Sequence, residues 1–340
     1  MKKVVCFGEI MLRLAPPGYL RFGQATSFDA VYGGGEANVA VSLANFGVDA
    51  AYVTKVPPNP IGQAAINELR KYGVDTTKML RGGDRLGIYF LEKGASQRPS
   101  VVVYDRKHSA ISEVKTGEFD WETIFKDATW FHFTGITPAL GENVAEITLE
   151  ACKAAVKLGL SVSCDLNYRK NLWSSEQAGK TMSKLMEYVD LCIANEEDAE
   201  KVFGISAHET DVSSGKLNIE GYKQVAKQLK DRFDFKRVAI TLRESMSADD
   251  NIWSAMYFDG DNYYFSQKYP MHIVDRVGGG DSFGAGLIYG ALNGLSDSEA
   301  LEFAVAASCL KHSIIGDANH VSVAEVKTLM KGDASGRVQR

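Results

Sequence analysis

The sequence lacks the features that define several large classes of protein. Its five cysteines are scattered, odd in number and form no Cys-x-x-Cys pair, which argues against both a disulfide framework and a cysteine-ligated zinc site. The six histidines are equally dispersed and show no metal-ligand spacing. No apolar run approaches the roughly 20 residues of a membrane helix, and the run from Val4 to Phe7 is too short for a signal peptide. We therefore expect a cytoplasmic protein with no membrane partner.

Positively charged residues are also fewer than negatively charged ones. The chain has 38 Lys and Arg residues against 43 Asp and Glu residues, a formal net charge of −5, whereas nucleic-acid binding needs clustered cations. We therefore expect no nucleic-acid partner. Three nucleotide motifs are missing: the Gly-x-x-x-x-Gly-Lys-Ser/Thr loop, the His-Arg-Asp signature of protein kinases, and a Gly-x-Gly-x-x-Gly segment after the first strand. The last absence disfavours an NAD-dependent dehydrogenase.

Apolar strands and amphipathic helices alternate along most of the chain. Continuous apolar runs predict strands, and helical spacing, closed by glycine at Gly47 and Gly73, predicts helices. The predicted strands are Val4–Phe7, Ala51–Val56, Trp130–Phe133, Ser161–Leu166, Leu191–Ala194 and Val238–Thr241. The predicted helices are Asn38–Phe46, Ile61–Tyr72, Ala145–Leu158, Gln177–Tyr188, Tyr222–Phe233 and Ser282–Leu292. This alternation predicts an α/β fold with a mostly parallel sheet covered by helices on both faces.

Two stretches, residues 10–32 and about 85–111, break this pattern. They alternate apolar and polar positions with no helix between them, and Gly87–Glu92 and Val101–Tyr104 read as a hairpin joined by a polar turn. A small sheet inserted in an α/β core can serve as an active-site lid; a structural edge or an oligomer contact is the alternative. The polar segment Ser206–Asn218 is predicted to be a surface insertion.

The glycine-rich segment Asp275–Gly286 is the strongest local signal for chemistry. Gly278, Gly279 and Gly280 lead directly into the predicted helix that begins at Ser282. Glycines leave backbone N–H groups uncrowded, and the unpaired amides of a helix's first turn add positive potential. The segment therefore predicts an anion hole for phosphate, suited to the charge of a phosphoryl group in transfer.

Asp281 follows these glycines directly. An aspartate at a helix start is most often an N-cap. In a loop that binds phosphate, however, a carboxylate repels its ligand unless it takes a proton from the attacking hydroxyl, a role that kinases give to an aspartate. We expect the helix terminus to keep Asp281 ionised so that it can act as this base.

Two segments resemble the signatures of a known family. Residues 278–283, Gly-Gly-Gly-Asp-Ser-Phe, are similar to the C-terminal signature of the ribokinase, or PfkB, family of carbohydrate kinases, and residues 33–40, Gly-Gly-Gly-Glu-Ala-Asn-Val-Ala, resemble its N-terminal signature. The resemblance implies that Gly34 and Asn38 meet the sugar. It also implies one three-layer ribokinase-like domain over residues 1–330, with lid segments at about 10–32 and 85–111. We expect residues 331–340 to form a disordered tail.

Three further stretches, residues 104–110, 134–140 and 165–173, resemble the branch of this family that acts on 2-keto-3-deoxygluconate. That substrate carries a carboxylate, which needs a cation. Arg106, expected on the lid, would form a charge-assisted pair with it, beside Tyr89 and Tyr104. By the same resemblance Arg169 lies between sugar and phosphate, and Asp317 meets the substrate.

The resemblance also assigns the nucleotide side of the site. Asn195-Glu196-Glu197-Asp198 is similar to an Asn-x-x-Glu motif associated with magnesium, and the shorter Asp198 would reach Mg²⁺ through water. A plain acidic helix start is the alternative. A loop after the Val238 strand is expected to contact ATP. The expected nucleotide contacts are Asn167, Arg169, Asn195, Thr241, Arg243, Ser245, Gly278 and Gly280. A monovalent cation such as K⁺ is a further candidate near Asp275.

We therefore expect a MgATP-dependent kinase that phosphorylates the 6-hydroxyl of 2-keto-3-deoxygluconate. Fructose, another ketose or a related keto-deoxy acid are alternative substrates within the family. A different class of function is also possible: the chain could be a non-catalytic sugar-binding regulator with the same fold, because a fold does not determine function. The family resemblance further implies a homo-oligomer that pairs through its lid sheets.

Overall fold

The computed structural model describes residues 2–195, 197–206 and 219–332. The predicted surface insertion beyond Ser206 and the tail beyond residue 332 lie outside the described residues. The strands are β1 Lys3–Phe7, β2 Met11–Ala15, β3 Asp29–Gly33, β4 Asp49–Val53, β5 Lys55–Val56, β6 Leu80–Arg81, β7 Gly87–Glu92, β8 Val101–Asp105, β9 Ala128–Thr134, β10 Ser161–Asp165, β11 Leu191–Ala194, β12 Arg237–Ser245, β13 Asp250–Phe258, β14 Tyr263–Phe265 and β15 Tyr269–His272. The helices are α1 Gly35–Asn45, α2 Pro60–Lys71, α3 Trp121–Phe125, α4 Glu142–Lys157, α5 Ser175–Met186, α6 Asp198–Phe203, α7 Ile219–Phe233, α8 Gly279–Asn293, α9 Asp297–Lys311 and α10 Val323–Met330, with short 3₁₀ turns at Phe22–Gln24 and Pro138–Leu140.

A nine-stranded sheet forms the centre of the molecule, in the order β14-β13-β12-β11-β10-β9-β1-β4, with β15 paired to β13. The strands from β12 to β4 pair in parallel, and β13, β14 and β15 add antiparallel pairs at one side. The strand order reverses at β1: β4 lies on one side of it, and β9 to β12 follow one another on the other side. In open α/β sheets ligands bind at the carboxyl ends of the strands beside such a reversal.

The strand residues alternate between two hydrophobic cores, one on each face of the central sheet. In β1, Val5 and Phe7 join the core that contains the buried sides of α4, α5 and α7. Val4 and Cys6 face the opposite core, with α1, α2, α8, α9 and α10. Because adjacent strand residues point to opposite faces, one uninterrupted apolar run supplies both layers. The predicted mostly parallel α/β fold is confirmed.

Strands β3-β2-β7-β8 form a separate four-stranded sheet, called the small sheet below. β7 and β8 pair antiparallel, with Tyr89 opposite Tyr104, as the predicted hairpin requires. β2 and β7 run parallel, so the two irregular stretches of the sequence meet in one sheet. Within the described residues, no helix combines the length and apolar character of a membrane span.

Two predictions of local structure were wrong. The strand predicted at Ala51–Val56 is two strands, because β4 ends at Val53 and β5 leaves the central sheet to pair with β6. The loop expected after the Val238 strand is a continuation of that strand: β12 runs to Ser245 and pairs in register with β13, leaving residues 246–249 as the turn. The loop was expected from the family resemblance, whereas the segment continues as a strand on which Thr241 is buried and Arg243 and Ser245 are exposed.

Candidate active site

The two glycine-rich segments, far apart in the sequence, meet through Asn38 and Asp281. Asn38 Nδ2 donates a hydrogen bond of 2.7 Å to Asp281 Oδ2, across 243 positions of chain. Asn38 Oδ1 accepts from the backbone N–H of Gly34 at 3.4 Å. Gly34 is the N-cap of α1, and its backbone lies so close to Glu9 that an added Cβ would be 2.0 Å from the Glu9 carbonyl oxygen. The starts of α1 and α8 are thereby held together at the carboxyl end of β1.

The three glycines before Asp281 serve different purposes. Gly278, the N-cap of α8, has φ +82°, and a Cβ there would lie 1.8 Å from the Asp317 carbonyl oxygen. A Cβ on Gly279 would lie 2.2 Å from the ring of His312, whereas one on Gly280 would meet nothing within 4 Å. No side chain of the described residues caps α8. Gly278 and Gly279 therefore permit close packing, and Gly280 presents open backbone at the start of a helix.

Asp281 is the third residue of α8 and not its N-cap, so the capping interpretation is wrong. The expected effect of the helix start on the ionisation of Asp281 is outweighed by burial. Burial raises the pKa of Asp281 to about 7; the hydrogen bond from Asn38 opposes this rise, and the Glu36 and Asp317 carboxylates add to it. A carboxylate with a pKa near neutral is matched to general-base work, because it can both accept and release a proton.

A cavity of about 240 Å³ lies at the carboxyl ends of β10, β11 and β12, beside Gly280; we call it the strand-end cavity. It is lined by Asp165, Asn167, Arg169, Ile193, Ala194, Asn195, Asp198, Thr241, Arg243, Trp253, Ile273, Arg276, Gly280, Phe283 and His312. Of the predicted nucleotide contacts, Asn167, Arg169, Asn195, Thr241, Arg243 and Gly280 line it. Ser245 and Gly278 do not: the Ser245 hydroxyl donates to Asn251 Oδ1 at 3.1 Å, further along β12, and Gly278 is the N-cap of α8.

Opposite charges face one another across the strand-end cavity. Arg169, Arg243 and Arg276 contribute guanidinium groups, and Arg276 and Arg243 lie close enough that Arg243 adds to the lowering of the Arg276 pKa by burial. Asp165 and Asp198 contribute carboxylates. Burial, then the charges of Asp198 and Asp281, raise the pKa of Asp165 well above its usual value.

Sequence reasoning missed several residues of this cavity. Asp165 ends β10 and was available from the predicted strand, because carboxylates at the carboxyl ends of parallel strands converge on one edge. Trp253 and His312 come from β13 and the end of α9, which the sequence pattern did not single out. Arg276 lies within the glycine-rich segment Asp275–Gly286, but no role was predicted for it.

Asp198 is held by backbone amides on both carboxylate oxygens. It accepts from the N–H of Tyr168 at 3.0 Å and from that of Asn195 at 3.1 Å. Asn195 Oδ1 accepts in return from the N–H groups of Glu197 and Asp198. Among the described residues there is no cluster of three or more His, Cys, Asp or Glu side chains with the geometry to hold a metal. This arrangement suits a cation that keeps its water ligands, as Mg²⁺ does.

A second cavity of about 590 Å³, the small-sheet cavity, lies between the end of β8 and the loop after β10. Its lining consists of Tyr104, Arg106, Lys107, Tyr168, Arg169, Lys170, Asn171, Leu172, Glu197 and Lys201. Positive side chains outnumber the single carboxylate here. Arg169 lines both cavities, and it is the one described residue that does so.

Arg106 is already ion-paired. It follows β8 rather than lying on the strand, and its Nε donates to Glu9 Oε2 at 2.8 Å, with a second bond from Nη2 to the same oxygen. Ser109 Oγ donates to Glu9 Oε1 at 2.6 Å. The guanidinium lies 5.3 Å from the ring centre of Tyr104. The pair joins the end of β8 in the small sheet to the segment that follows β1.

Four predicted substrate contacts, Gly34, Asn38, Tyr89 and Asp317, line neither cavity. The Tyr89 hydroxyl donates to Asp317 Oδ2, and Asp317 Oδ1 accepts from Arg13 Nη1 at 2.7 Å. Arg13 Nη2 binds Asp275 Oδ2 at 2.6 Å. This buried cluster joins β2 and β7 of the small sheet to the loop before α8. Its members are all buried and bind one another, although Arg13 Nε has no hydrogen-bond partner among the described residues.

Comparisons with known proteins agree with these features. A family model described as pfkB family carbohydrate kinase matches residues 1–322. The chain is 32% identical over 335 residues to the 2-dehydro-3-deoxygalactonokinase of Haloferax volcanii, covering 98% of each chain. It is 29% identical over 317 residues to the 2-dehydro-3-deoxygluconokinase of Bacillus subtilis, covering 92% of this chain and 90% of that one.

A crystal structure of the 2-dehydro-3-deoxygluconokinase of Thermotoga maritima is similar over its whole length. The TM-score is 0.94 at 56% identity, with 97% of this chain and 98% of that chain covered. The similarity therefore extends over both the central sheet and the small sheet.

Proposed function

Because the chain belongs to the pfkB family of carbohydrate kinases, we propose that it transfers the γ-phosphoryl group of ATP to the 6-hydroxyl of 2-keto-3-deoxygluconate. The products are ADP and 2-keto-3-deoxy-6-phosphogluconate. The observation that carries this proposal is the placement of Asp281 in the first turn of α8, beside the open backbone of Gly280 and hydrogen-bonded to Asn38. Relatives named for keto-deoxy sugar acids support the substrate class.

In the proposed reaction Asp281 removes the proton from the acceptor hydroxyl as its oxygen attacks the γ-phosphorus. The bond from that phosphorus to the bridging oxygen breaks, and ADP leaves. The first-turn amides of α8 stabilise the charge that spreads over the transferred group. Asn38 orients the carboxylate and favours its ionised form, because a hydrogen bond donated to a charged carboxylate lowers its pKa.

The strand-end cavity is the proposed site for the phosphates of ATP. Arg169, Arg243 and Arg276 supply positive charge there. After burial, the charges of Asp198 and Asp281 raise the pKa of Asp165; a divalent cation would relieve this repulsion. Asn195 and Asp198 would hold Mg²⁺ through water, and when bound the ion neutralises phosphate charge.

The small-sheet cavity is the proposed site for the sugar acid. Its basic lining suits a carboxylate, and Arg106 and Tyr104 lie where such a group would enter. Arg169, shared with the strand-end cavity, would brace the transferred phosphoryl group between acceptor and donor. We propose that the small sheet is the lid of a single domain over residues 1–330, and that it excludes water when the sugar acid binds.

The outer edge of the small sheet supports a homo-oligomer. β8 is an edge strand, and Val101, Val102 and Val103 are all exposed on it. An apolar edge strand with unpaired backbone groups is a template for pairing with another chain. We propose that two copies of this protein associate through β8.

The main alternative substrate within this proposal is 2-keto-3-deoxygalactonate, the C4 epimer of 2-keto-3-deoxygluconate, because one relative is named for it. A screen of ADP release, with MgATP and 2-keto-3-deoxygluconate, 2-keto-3-deoxygalactonate, fructose or no acceptor, tests the proposal. We expect kcat/KM for one or both keto-deoxy acids to exceed that for fructose by at least about 100-fold, the value of one well-placed charged contact. Preference for fructose would reject the substrate, and no ADP release with any acceptor would favour the non-catalytic regulator.

A further inference from the structure

Lys311, the last residue of α9, is fully buried beside the glycine segment. Its Nζ donates to two backbone carbonyl oxygens, that of Asp275 at 3.3 Å and that of Ile314 at 3.1 Å. Its Cε lies 3.3 Å from the position that a Cβ on Gly278 would occupy. The ammonium group therefore connects the loop before α8 with the loop after α9, directly behind the first glycine of the proposed anion hole.

The neighbouring carboxylates do not account for this position. Asp275 Oδ2 accepts from Arg13 and from the N–H of Gly316 at 3.1 Å, and Lys93 Nζ lies 3.8 Å from the same oxygen. Asp317 is bound by Arg13 and Tyr89. The Lys311 ammonium therefore bonds to carbonyl oxygens and not to a carboxylate. Carbonyl oxygens from two converging loops are the ligands that a desolvated monovalent cation takes.

We infer that Lys311 is a built-in cation, which replaces a monovalent metal ion behind the anion hole. Its role is to position the backbone amides of residues 278–280 and to balance the carboxylates of Asp275 and Asp317. The candidate K⁺ near Asp275 does not fit this chain, because the ammonium already binds the carbonyl oxygens there. The inference rests on the proposed phosphoryl transfer, and it predicts that this transfer needs no added monovalent cation.

The charge of this group has a limited pH range. Burial lowers the pKa of Lys311 to about 8; Asp275 and Asp317 oppose that effect, Arg13 adds to it, and Asp281 opposes it. Tyr89 and His312 also belong to the surrounding elements; burial raises the Tyr89 pKa and lowers that of His312, so both side chains are neutral near pH 8. An ammonium group is charged below its pKa and neutral above it. Activity that depends on the ammonium is therefore lost as the pH rises through about 8.

The intact protein provides the first test. ADP release with a keto-deoxy acid is measured with the Tris salt of ATP, in tetramethylammonium chloride or in KCl at matched ionic strength. We expect kcat to agree within about twofold, as for a site with no differential ion binding. A rise of tenfold or more in KCl would overturn the inference while leaving the kinase proposal intact. Absence of turnover in both salts would count against the kinase proposal itself.

The Lys311→Ala variant provides the second test, with Lys327→Ala on the exposed face of α10 as the matched control. We expect Lys311→Ala to lose at least tenfold in kcat, to regain most of it in KCl or ethylammonium chloride, and to lose the decline above pH 8. Its melting temperature should rise in KCl over tetramethylammonium chloride, while the wild type and control should not respond. If the melting temperature of Lys311→Ala is the same in both salts and added cations do not restore its kcat, Lys311 serves only in packing and the inference is rejected. If the alanine variant does not fold, Lys311→Met decides by the same pH profile.

Discussion

Asn38 and Asp281 are joined by a 2.7 Å hydrogen bond between Nδ2 and Oδ2, and this bond connects the first turn of α8 to α1. It also sets the proton affinity of the carboxylate, because burial and the Glu36 and Asp317 charges raise the Asp281 pKa while Asn38 lowers it. The amide of Asn38 therefore controls the pH range in which Asp281 is a base. The proposed reaction makes this relationship measurable.

Replacement of Asn38 by leucine should shift the acidic limb of the kcat–pH profile upward. A hydrogen bond to a charged group contributes about 1.5–3 kcal/mol, which corresponds to roughly one to two pH units. Since Asp281 must be ionised to accept a proton, wild-type activity should rise as the pH increases through about 7, and the variant should need a higher pH. Measurement of kcat from pH 5.5 to 9 checks this. An unshifted limb would show that Asn38 only contacts the sugar.

Replacement of Asp281 by asparagine should lower kcat by about 10²–10⁴-fold, with both KM values nearly unchanged. The same change should stabilise the fold at pH 8. The folded-state pKa of about 7 lies above the usual value near 3.9, so ionisation destabilises the folded state and stability falls as the pH rises from about 4 to 7. Thermal unfolding at pH 5 and pH 8 measures the effect. Wild-type turnover in this variant would eliminate Asp281 as the base.

Gly279→Ala and Gly280→Ala form a matched pair. The Cβ at position 279 would overlap the His312 ring, so that variant should lose about 1–3 kcal/mol of stability. The Cβ at position 280 meets nothing, so that protein should be at least as stable as the wild type. It should nevertheless show a kcat/KM for ATP reduced by at least about tenfold, because a methyl group obstructs the amides. Unfolding curves and initial rates distinguish the two; normal ATP kinetics for Gly280→Ala would exclude phosphate from this position.

Arg106→Met alone should destabilise the protein by about 3–5 kcal/mol, because it leaves the buried Glu9 carboxylate unpaired. The double variant Glu9→Gln/Arg106→Met should recover most of that loss. Its KM for the keto-deoxy acid should still rise by about 10–100-fold, the value of a charge-assisted bond, while its KM for ATP stays within about twofold. An unchanged KM for the acid would show that Arg106 only secures the small sheet.

Val101→Lys/Val103→Lys should dissociate the proposed oligomer, because two charges on one face of β8 oppose strand pairing. Val156→Lys on α4 is the control, since Val156 is 48% exposed and lies away from β8. Light scattering after size-exclusion chromatography gives the mass. A variant with the same mass as its parent would mean that β8 is not the interface, and a monomeric wild type would reject the oligomer.

Sequence patterns were sufficient for the parallel sheet, whereas the hydrogen bond between Asn38 and Asp281 was seen only in the structure. The run at Val4–Phe7 predicted β1 because buried parallel strands are apolar on both faces. The hairpin of β12 and β13 was missed because the family resemblance placed a loop after the Val238 strand, where β12 instead continues and pairs with β13.

The charged side chains were harder to place. Arg13 looks like an exposed residue of an alternating strand, yet it is buried between Asp275 and Asp317. Arg106 was expected to be available to a ligand, yet it pairs with Glu9. Both outcomes depend on partners distant in the sequence, and local composition carries no information about such pairings.

Arg169 is the single described residue that lines both cavities. Apart from that side chain the two cavities are lined by different residues, although segments 165–172 and 195–201 contribute to both. Substitutions at Tyr104, Arg106 or Lys107, which line only the small-sheet cavity, can therefore alter which sugar acid the proposed acceptor site takes without changing the lining of the strand-end cavity. A protein arranged in this way can diversify its carbohydrate preference during evolution while its ATP chemistry is inherited unchanged.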